Sequence, residues 1–251
     1  MKSSKPQEAP EATLKELLKA SDNIVFFGGA GVSTESGIPD FRSEKGIFAT
    51  RQAYGYPPEV ILSRSFFLSK PEIFFKYYRS NLIFESVHPN AAHKALARLE
   101  EMGKLKAVIT QNIDGLHQAA GSQNVLELHG SVTRNYCIKC RATYDLSSVT
   151  NSAGIPECSQ CGGMVRPDVV LYEEGLDNHI LSDSVGFISA ADVLIVGGTS
   201  LNVYPAAGLI QHYPGNKLVL INKGSTSYDT RANILIRDSI GKVLGEAVDT
   251  P

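Results

Sequence analysis

Apolar positions along the chain gather into six short runs, at residues 23–29 (NIVFFGG), 105–110, 124–128, 192–198, 217–222 and 232–236. They are rich in Val and Ile and mostly apolar on both faces, as strands of a parallel sheet are when helices cover it. Between them, apolar residues recur at helical spacing. Over residues 88–102, Ala92, Ala95, Leu96, Leu99 and Met102 fall on one face, with Pro89 near the start and Gly103 just past the end. Weaker helical patterns occupy 12–20, 177–190, 203–213 and 240–247. The alternation predicts an α/β fold with a doubly wound parallel sheet. Residues 43–87, aromatic and helix-like in their second half, and residues 131–170, which hold every cysteine, break it. Both read as inserts that form a second, smaller domain.

One predicted strand ends oddly. In LKAVITQNIDGLHQ, residues 105–118, the apolar run passes straight into Thr110, Gln111, Asn112 and Asp114 with no cluster of turn residues. Two amides and a carboxylate at the end of a core strand call for a chemical explanation, because α/β sheets place ligands at strand ends.

Composition narrows the classes. With 251 residues and a 43% hydrophobic share, the chain can bury one large α/β domain or one domain with a smaller insert. The net charge of −2, with the two signs interspersed, gives no basic face for nucleic acid or a membrane surface. No segment approaches the roughly 20 apolar residues of a membrane span. The start, MKSSKPQEAPEA, lacks the apolar core of a signal peptide and reads as a disordered tail over residues 1–11. These features predict a cytoplasmic protein, with no nucleic-acid or membrane partner.

Two motifs carry chemistry of their own. GGAGVSTESG, residues 28–37, lies where the first strand ends, and glycines there let a backbone approach a phosphate closely. The motif is partial, since Thr34 stands where a third glycine would complete GxGxxG, and a tight strand-to-helix turn is the plain alternative. The acid that a dehydrogenase places about 20 residues further on has no counterpart in RQAYGYPPEV, which disfavours that class. The cysteines are more specific. Cys137 and Cys140 form one C-x2-C pair, Cys158 and Cys161 another, and the seventeen residues between them fit a four-cysteine zinc site. Four thiolates leave no open position, so the zinc is expected to be structural. Residues 131–170 carry four basic and three acidic residues without a basic patch, which argues against a nucleic-acid ribbon. Of six histidines, His129 stands apart: it follows the strand VLEL and precedes Gly130, at a strand end.

GAGVS (29–33), GIPDFR (37–42), TQNIDGLH (110–117), LHG (128–130), the paired C-x-x-C, GTSLNVYPAA (198–207) and the strand-end Asn222 together resemble the sirtuins, NAD-dependent protein lysine deacylases. The resemblance runs in order over nearly the whole chain after about residue 12. It departs at Gly28, where the family often has Thr or Ser, and at Glu173, where a glycine is usual. It implies a Rossmann-like NAD-binding domain (12–42, 88–130 and 171–251), a small domain made of a helical insert (43–87) and a zinc-binding insert (131–170), and a cleft between them for NAD and an acyl-lysine peptide.

Roles follow from the same resemblance. Asp114 and the Ile113 backbone would bind the nicotinamide carboxamide, and Gln111 and Asn112 the ribose hydroxyls and an ordered water. Ser33 and Arg42 would support them. Gly29, Ala30, Gly31, Thr34, Gly198, Thr199 and Ser200 would hold the phosphates and ribose. Asn222, Lys223 and Ile240 would meet the adenosine end, and Asp40 and Phe41 would close the reacting face. His129 would be the general base, with Asn112 the second catalytic residue. The peptide would add as a strand between Val169, Val170 and Tyr172 on one side and Val203 on the other. One structural Zn2+ would sit on Cys137, Cys140, Cys158 and Cys161. The partners are then acetylated-lysine proteins, acting on a monomer. An NAD-consuming ADP-ribosyltransferase and a silent zinc-containing binding module remain as alternatives. The stretch PEIFFKYYRSNLIF, residues 71–84, puts Tyr78 and Asn81 where acid-selective members have Tyr and Arg, and turns Arg79 away. This predicts neutral acyl groups in a pocket lined by Phe74, Phe75 and Tyr78.

Overall fold

The computed structural model describes residues 10–39, 51–84 and 86–248. Its centre is a six-stranded sheet of β1 (Ile24–Gly28), β2 (Leu105–Thr110), β3 (Val125–Glu127), β7 (Val193–Gly197), β8 (Leu218–Ile221) and β9 (Ile234–Ile236), all parallel. Every predicted strand run is present, trimmed by up to two residues at its ends. The order is β3-β2-β1-β7-β8-β9, so the chain works outward from β1 in one direction and then returns to build on its other side. That reversal puts a crevice between the carboxyl ends of β1 and β7, where open α/β sheets hold ligands.

Period-two alternation divides the sheet's side chains between two cores. Ile24, Phe26, Val108, Ile195, Val219 and Ile221 pack under α1 (Pro10–Ala20), α5 (Ala91–Glu101) and α9 (Ile240–Ala247). Val25, Phe27, Ile109, Leu194, Val196 and Leu220 pack under α8 (Asn178–Ala190) and the 3-10 turn Ala206–His212. Three helix ends differ from the sequence expectation for local reasons. The first helix begins at Pro10, a residue suited to the first helical position, so residues 10 and 11 of the expected tail are helical. Helix α5 starts at Ala91 because Asn90 caps it, accepting from the Ala92 N–H at 2.9 Å. Within residues 203–213, Ala206–His212 is a 3-10 turn instead of an α-helix, entered from Pro205 and carrying Gly208, a poor α-helix former.

The two inserts pack on each other. Helices α2 (Pro58–Ile61), α3 (Arg64–Ser69) and α4 (Pro71–Asn81) bring Phe66, Phe67, Phe74, Phe75, Tyr77 and Tyr78 against Val132, Val149, Val169 and Leu171. Phe67, Phe74 and Phe75 meet edge to face at centroid distances of 4.9 to 6.0 Å. In the cysteine-bearing insert, for which the sequence pattern names no strand, β4 (Gly130–Cys137), β5 (Thr143–Tyr144) and β6 (Val165–Val169) form an antiparallel sheet. The second sheet begins one residue after His129, so the last strand end of one lobe's N-terminal half is the first strand of the other.

Candidate active site

At the crevice the loops after β1 and β7 touch backbone to backbone. Gly29 and Gly31 donate N–H bonds to the carbonyls of Gly197 (3.3 Å) and Gly198 (2.7 Å). A Cβ on Gly31 would lie 2.8 Å from the Gly198 Cα, and Gly198 itself has φ +59°. Glycine is required here by the approach of the two loops. A cavity of about 460 Å³ opens beside them, lined by Ala30, Gly31, Thr34, Gly198, Thr199, Ser200, Asn222, Lys223 and Ile240. Val203, expected beside the peptide, also lines this cavity. Glu35, which the sequence reading passed over, also lines it and accepts from the Gly241 N–H at the start of α9 (2.9 Å). Its place inside the STES stretch, followed by Gly37, is the signal that could have marked it.

The polar residues at the end of β2 form one connected array. Gln111 donates its backbone N–H to the Gly28 carbonyl (3.0 Å) and its side-chain Nε2 to Thr199 Oγ1 (3.1 Å). Asn112 donates Nδ2 to Ser33 Oγ (3.0 Å), and the Ser33 hydroxyl, 1% exposed, donates to Asp114 Oδ2 (2.6 Å). The other Asp114 oxygen accepts from the Leu116 N–H (2.9 Å), which opens α6 (Leu116–Ala119). Each link fixes the next, so the array is set before any ligand arrives. Strand β2 thus delivers amides and a carboxylate onto the glycine loop.

Half-buried His129 closes the array. Its Nδ1 lies 2.9 Å from the Gln111 carbonyl oxygen, which can only accept. The proton of the neutral ring is therefore on Nδ1, and Nε2 is the basic nitrogen. Next to it, Gly130 has φ +74°, and a Cβ there would come within 1.9 Å of the Asp168 carbonyl oxygen. That close approach lets the Val170 N–H reach the His129 carbonyl (3.0 Å) and brings residues 169–172 alongside. A second cavity of about 190 Å³ lies between the lobes, bounded by Ser33, Gln111, Asn112, Ile113, Asp114, His129, Val169, Val170 and Tyr172, and it shares Ala30 with the first. Its remaining wall is Ile38, Pro39, Leu62, Leu82, Phe84 and Leu171.

That wall corrects one expectation. Phe74, Phe75 and Tyr78 are fully buried in the small-domain core and do not line the cavity, because α4 turns them toward α3 and β6. Burial also pushes the Tyr78 hydroxyl well above its ordinary range, against the nearby Arg166. Asn81 donates to Tyr54 Oη (3.2 Å) and to the Tyr77 carbonyl (3.0 Å), and Arg79 turns to the carbonyls of Val149 (2.8 Å) and Gly154. Among the described residues, no Lys or Arg lines the second cavity. Asp40, Phe41 and Arg42 lie outside the described residues.

Segment 169–172, which leaves the end of β6, is held from behind. Arg166 donates to both oxygens of Glu174 (2.7 and 3.0 Å) and to the Val169 carbonyl (2.8 Å). Burial alone would raise the Glu174 carboxyl, but these bonds, with the Leu171 N–H, outweigh it and hold the group below the usual range. Glu173 has φ +75°, and its carboxylate accepts from the Ser65 N–H and hydroxyl (2.9 and 2.8 Å) at the start of α3. These bonds offset the cost of a left-handed non-glycine residue.

The four cysteine sulfurs lie within 4.8 Å of one another, with Cys137 to Cys161 and Cys140 to Cys158 both at 3.5 Å. Thiolates around zinc at about 2.3 Å would stand about 3.8 Å apart, so this cluster fits a tetrahedral site. The N–H groups of Lys139 and Cys140 point at Cys137 Sγ (3.3 and 3.5 Å). The Tyr144 hydroxyl donates to Cys158 Sγ (3.0 Å) and, ahead of burial, brings that thiol down to about 6. Both features favour the thiolate form that a metal requires.

A doubly wound sheet with a glycine crevice, a strand-end histidine and a thiolate module defines a nucleotide-dependent enzyme with a structural metal. The model of the Sir2 family matches residues 29–205. The chain is 62% identical over 232 residues to the NAD-dependent protein deacetylase of Clostridium acetobutylicum, covering 92% of this chain and 95% of that protein. It is 60% identical over 237 residues to the enzyme of the same description from Clostridium perfringens, covering 94% and 97%. Among solved structures, one described as "Structural Basis for the Mechanism and Regulation of Sir2 Enzymes" superposes with a TM-score of 0.85 at 40% identity, over 97% of this chain and 98% of that one. A Sir2 complex with the inhibitor EX-527, 2'-O-acetyl-ADP-ribose and a deacetylated p53 peptide gives 0.81 at 38%, over 94% and 96%. The chain belongs to the Sir2 family.

Proposed function

We propose that the protein removes acetyl groups from protein lysine side chains at the expense of NAD, releasing nicotinamide and O-acetyl-ADP-ribose. The observation that carries this reading is the placement of His129 and the Asn112–Ser33–Asp114 chain in one cavity, between the glycine crevice and segment 169–172. NAD supplies a ribose carbon activated for substitution once its nicotinamide departs.

The residues supply the rest. Ala30, Thr34, Thr199 and Ser200 hold the phosphates and the adjoining ribose, with Gly29, Gly31 and Gly198 setting the loops. Asn222, Lys223 and Ile240 hold the adenosine end, where Asn222 takes the position that an acid fills in dehydrogenases. Asp114, held by Ser33 and the Leu116 N–H, binds the leaving carboxamide with the Ile113 backbone. Gln111 and Asn112 orient the ribose and a water. His129 accepts a ribose hydroxyl proton on Nε2, while the Gln111 carbonyl stabilises the charge through Nδ1–H. Asp40, Phe41 and Arg42 close and support the reacting face. Val169, Val170, Tyr172 and Val203 flank the substrate chain. Zinc on Cys137, Cys140, Cys158 and Cys161 holds β4 and β6 together and touches no substrate.

The test is a product balance with NAD and an acetyl-lysine peptide. One nicotinamide and one acetyl-ADP-ribose are expected per lysine freed. ADP-ribose attached to peptide or protein, with the acetyl group retained, would replace this reading with ADP-ribosyl transfer.

A further inference from the structure

The junction between the lobes contains an ion pair that the proposed chemistry does not use. Strand β4 pairs Ser131 with Asp168 and Asn135 with Pro167, so Val132, Thr133 and Arg134 have no partner residue on β6. Pro167 has no N–H to continue the ladder, and the bulge re-aims the residues within it. Val132 donates its N–H to the Ile113 carbonyl (2.9 Å), inside the polar array. Arg134 reaches back across the junction. Its Nη1 donates to Glu127 Oε2 (2.6 Å) and its Nε to Asp168 Oδ2 (3.0 Å).

Those two carboxylates belong to the two parts that must be kept in register. Glu127 ends β3, pairs with Thr110 at the start of the polar array and stands two residues before His129. Asp168 lies in β6 and precedes Val169, which ends that strand and lines the second cavity. The Glu127 carboxylate is only 8% exposed, and its other oxygen accepts from Gln118 Nε2 (2.8 Å). It is therefore a fixed anchor, whereas the guanidinium, 52% exposed, is a strut along the surface. The Val170 N–H to His129 carbonyl bond and the Gly130–Val169 and Ser131–Asp168 pairs lie on the same junction, and the guanidinium adds to these backbone ties a side-chain tie that reaches β3.

We propose that Arg134 is a positioning residue that fixes segment 168–172 against the end of β3, and through it the acyl-lysine against His129. The assignment rests on the deacetylase reading. It separates two roles that an exposed arginine could have, because a surface ion pair contributes little to stability, whereas misplacing a reacting group by about 1 Å can cost up to about a hundredfold in rate.

The test compares wild type, Arg134→Met, Arg134→Lys and Asp168→Asn. For Arg134→Met, kcat/KM for the acetyl-lysine peptide is expected to fall about tenfold, with KM for NAD within about twofold of wild type. Asp168→Asn, which removes the charge on the strand side only, should lose less, and Arg134→Lys should recover only part, because an ammonium lacks the fork that meets both carboxylates. Peptide parameters that do not change, or that change together with the NAD parameters, overturn the proposal. Hydrogen exchange over residues 168–172 needs no turnover, and about tenfold faster exchange in Arg134→Met is the expected result. Wild-type protection there also overturns the proposal. A wild type that frees no lysine would sink the deacetylase reading, while the exchange result would still decide whether Arg134 fixes this segment.

Discussion

The six-stranded sheet buries whole faces of Val, Ile, Leu and Phe on both sides, while the ribbon β5-β4-β6 buries Val132 and Val169 at one end against the aromatic helices and, at its cysteine end, a cluster of just Cys137, Cys158 and Val165 with Ala142, Tyr144 and Cys161 half-covered. The first has enough apolar burial to hold its strands in place even though their carboxyl ends carry amides, hydroxyls and glycines. The cysteine end of the second has too little core of its own, and four thiolates on one metal take its place. Active-site polarity is therefore borne by the lobe that can tolerate it. The metal stabilises the lobe that positions the substrate.

Cutting each lobe at its own support should break it differently. Cys158→Ala is expected to release the metal, measured with a chromogenic chelator, and to lower deacetylation by at least about 10², with most of the parallel-sheet circular dichroism retained. Full activity in a zinc-free variant would contradict a structural role. At the junction, Gly130→Ala places a Cβ on a left-handed residue and against the Asp168 carbonyl. A loss of about 2–5 kcal/mol in urea unfolding is expected from the backbone conformation and overpacking together. A loss under about 1 kcal/mol would show that the two strands can part without cost.

Specificity should follow the cavity wall. Since no described Lys or Arg faces it, a succinyl carboxylate would be buried without a counter-charge. Acetyl-lysine is expected to exceed succinyl-lysine by at least about tenfold in kcat/KM on one peptide, or about 1.4 kcal/mol. Equal or faster turnover of the succinyl peptide would mean that a cation reaches the pocket.

A pH effect belongs to the large lobe alone. The His93 and His117 rings meet edge to face at a centroid distance of 4.7 Å, and burial lowers them to about 4 and about 3, with Asp114 partly opposing this at His93. Both are neutral in the fold and ordinary in the unfolded chain, which therefore binds more protons below about pH 6.5. Their contribution is complete above that pH and is lost as pH falls toward 4 and 3. A slope of up to about 1.4 kcal/mol per pH unit for each histidine is expected between about pH 6 and 4. His117→Phe should flatten it, and an unchanged slope would assign it to other groups.

The large lobe was legible because burial on both faces leaves an unmistakable run, as in VLIVG of β7, and because Gly29, Gly31 and Gly198 are needed by backbone approach. The ribbon strands were not. Strand β4 is interrupted by its bulge, and β5 has two residues, so no alternation is long enough to read. The aromatics of α4 misled for a related reason: sequence shows that Phe74, Phe75 and Tyr78 are apolar, but not whether an apolar face meets a core or a cavity. Leu82 and Phe84, just past that helix, meet the cavity instead. Glu35 and Arg134 act across the chain at separations that no local pattern records.

The central claim is that His129 performs the chemistry while the glycine crevice binds NAD independently of it. His129→Ala, assayed for NAD affinity by calorimetry and for lysine release at saturating NAD and peptide, tests both halves in one protein. The account predicts NAD affinity within about threefold of wild type and deacetylation lower by at least about 10². Deacetylation near the wild-type rate would contradict it.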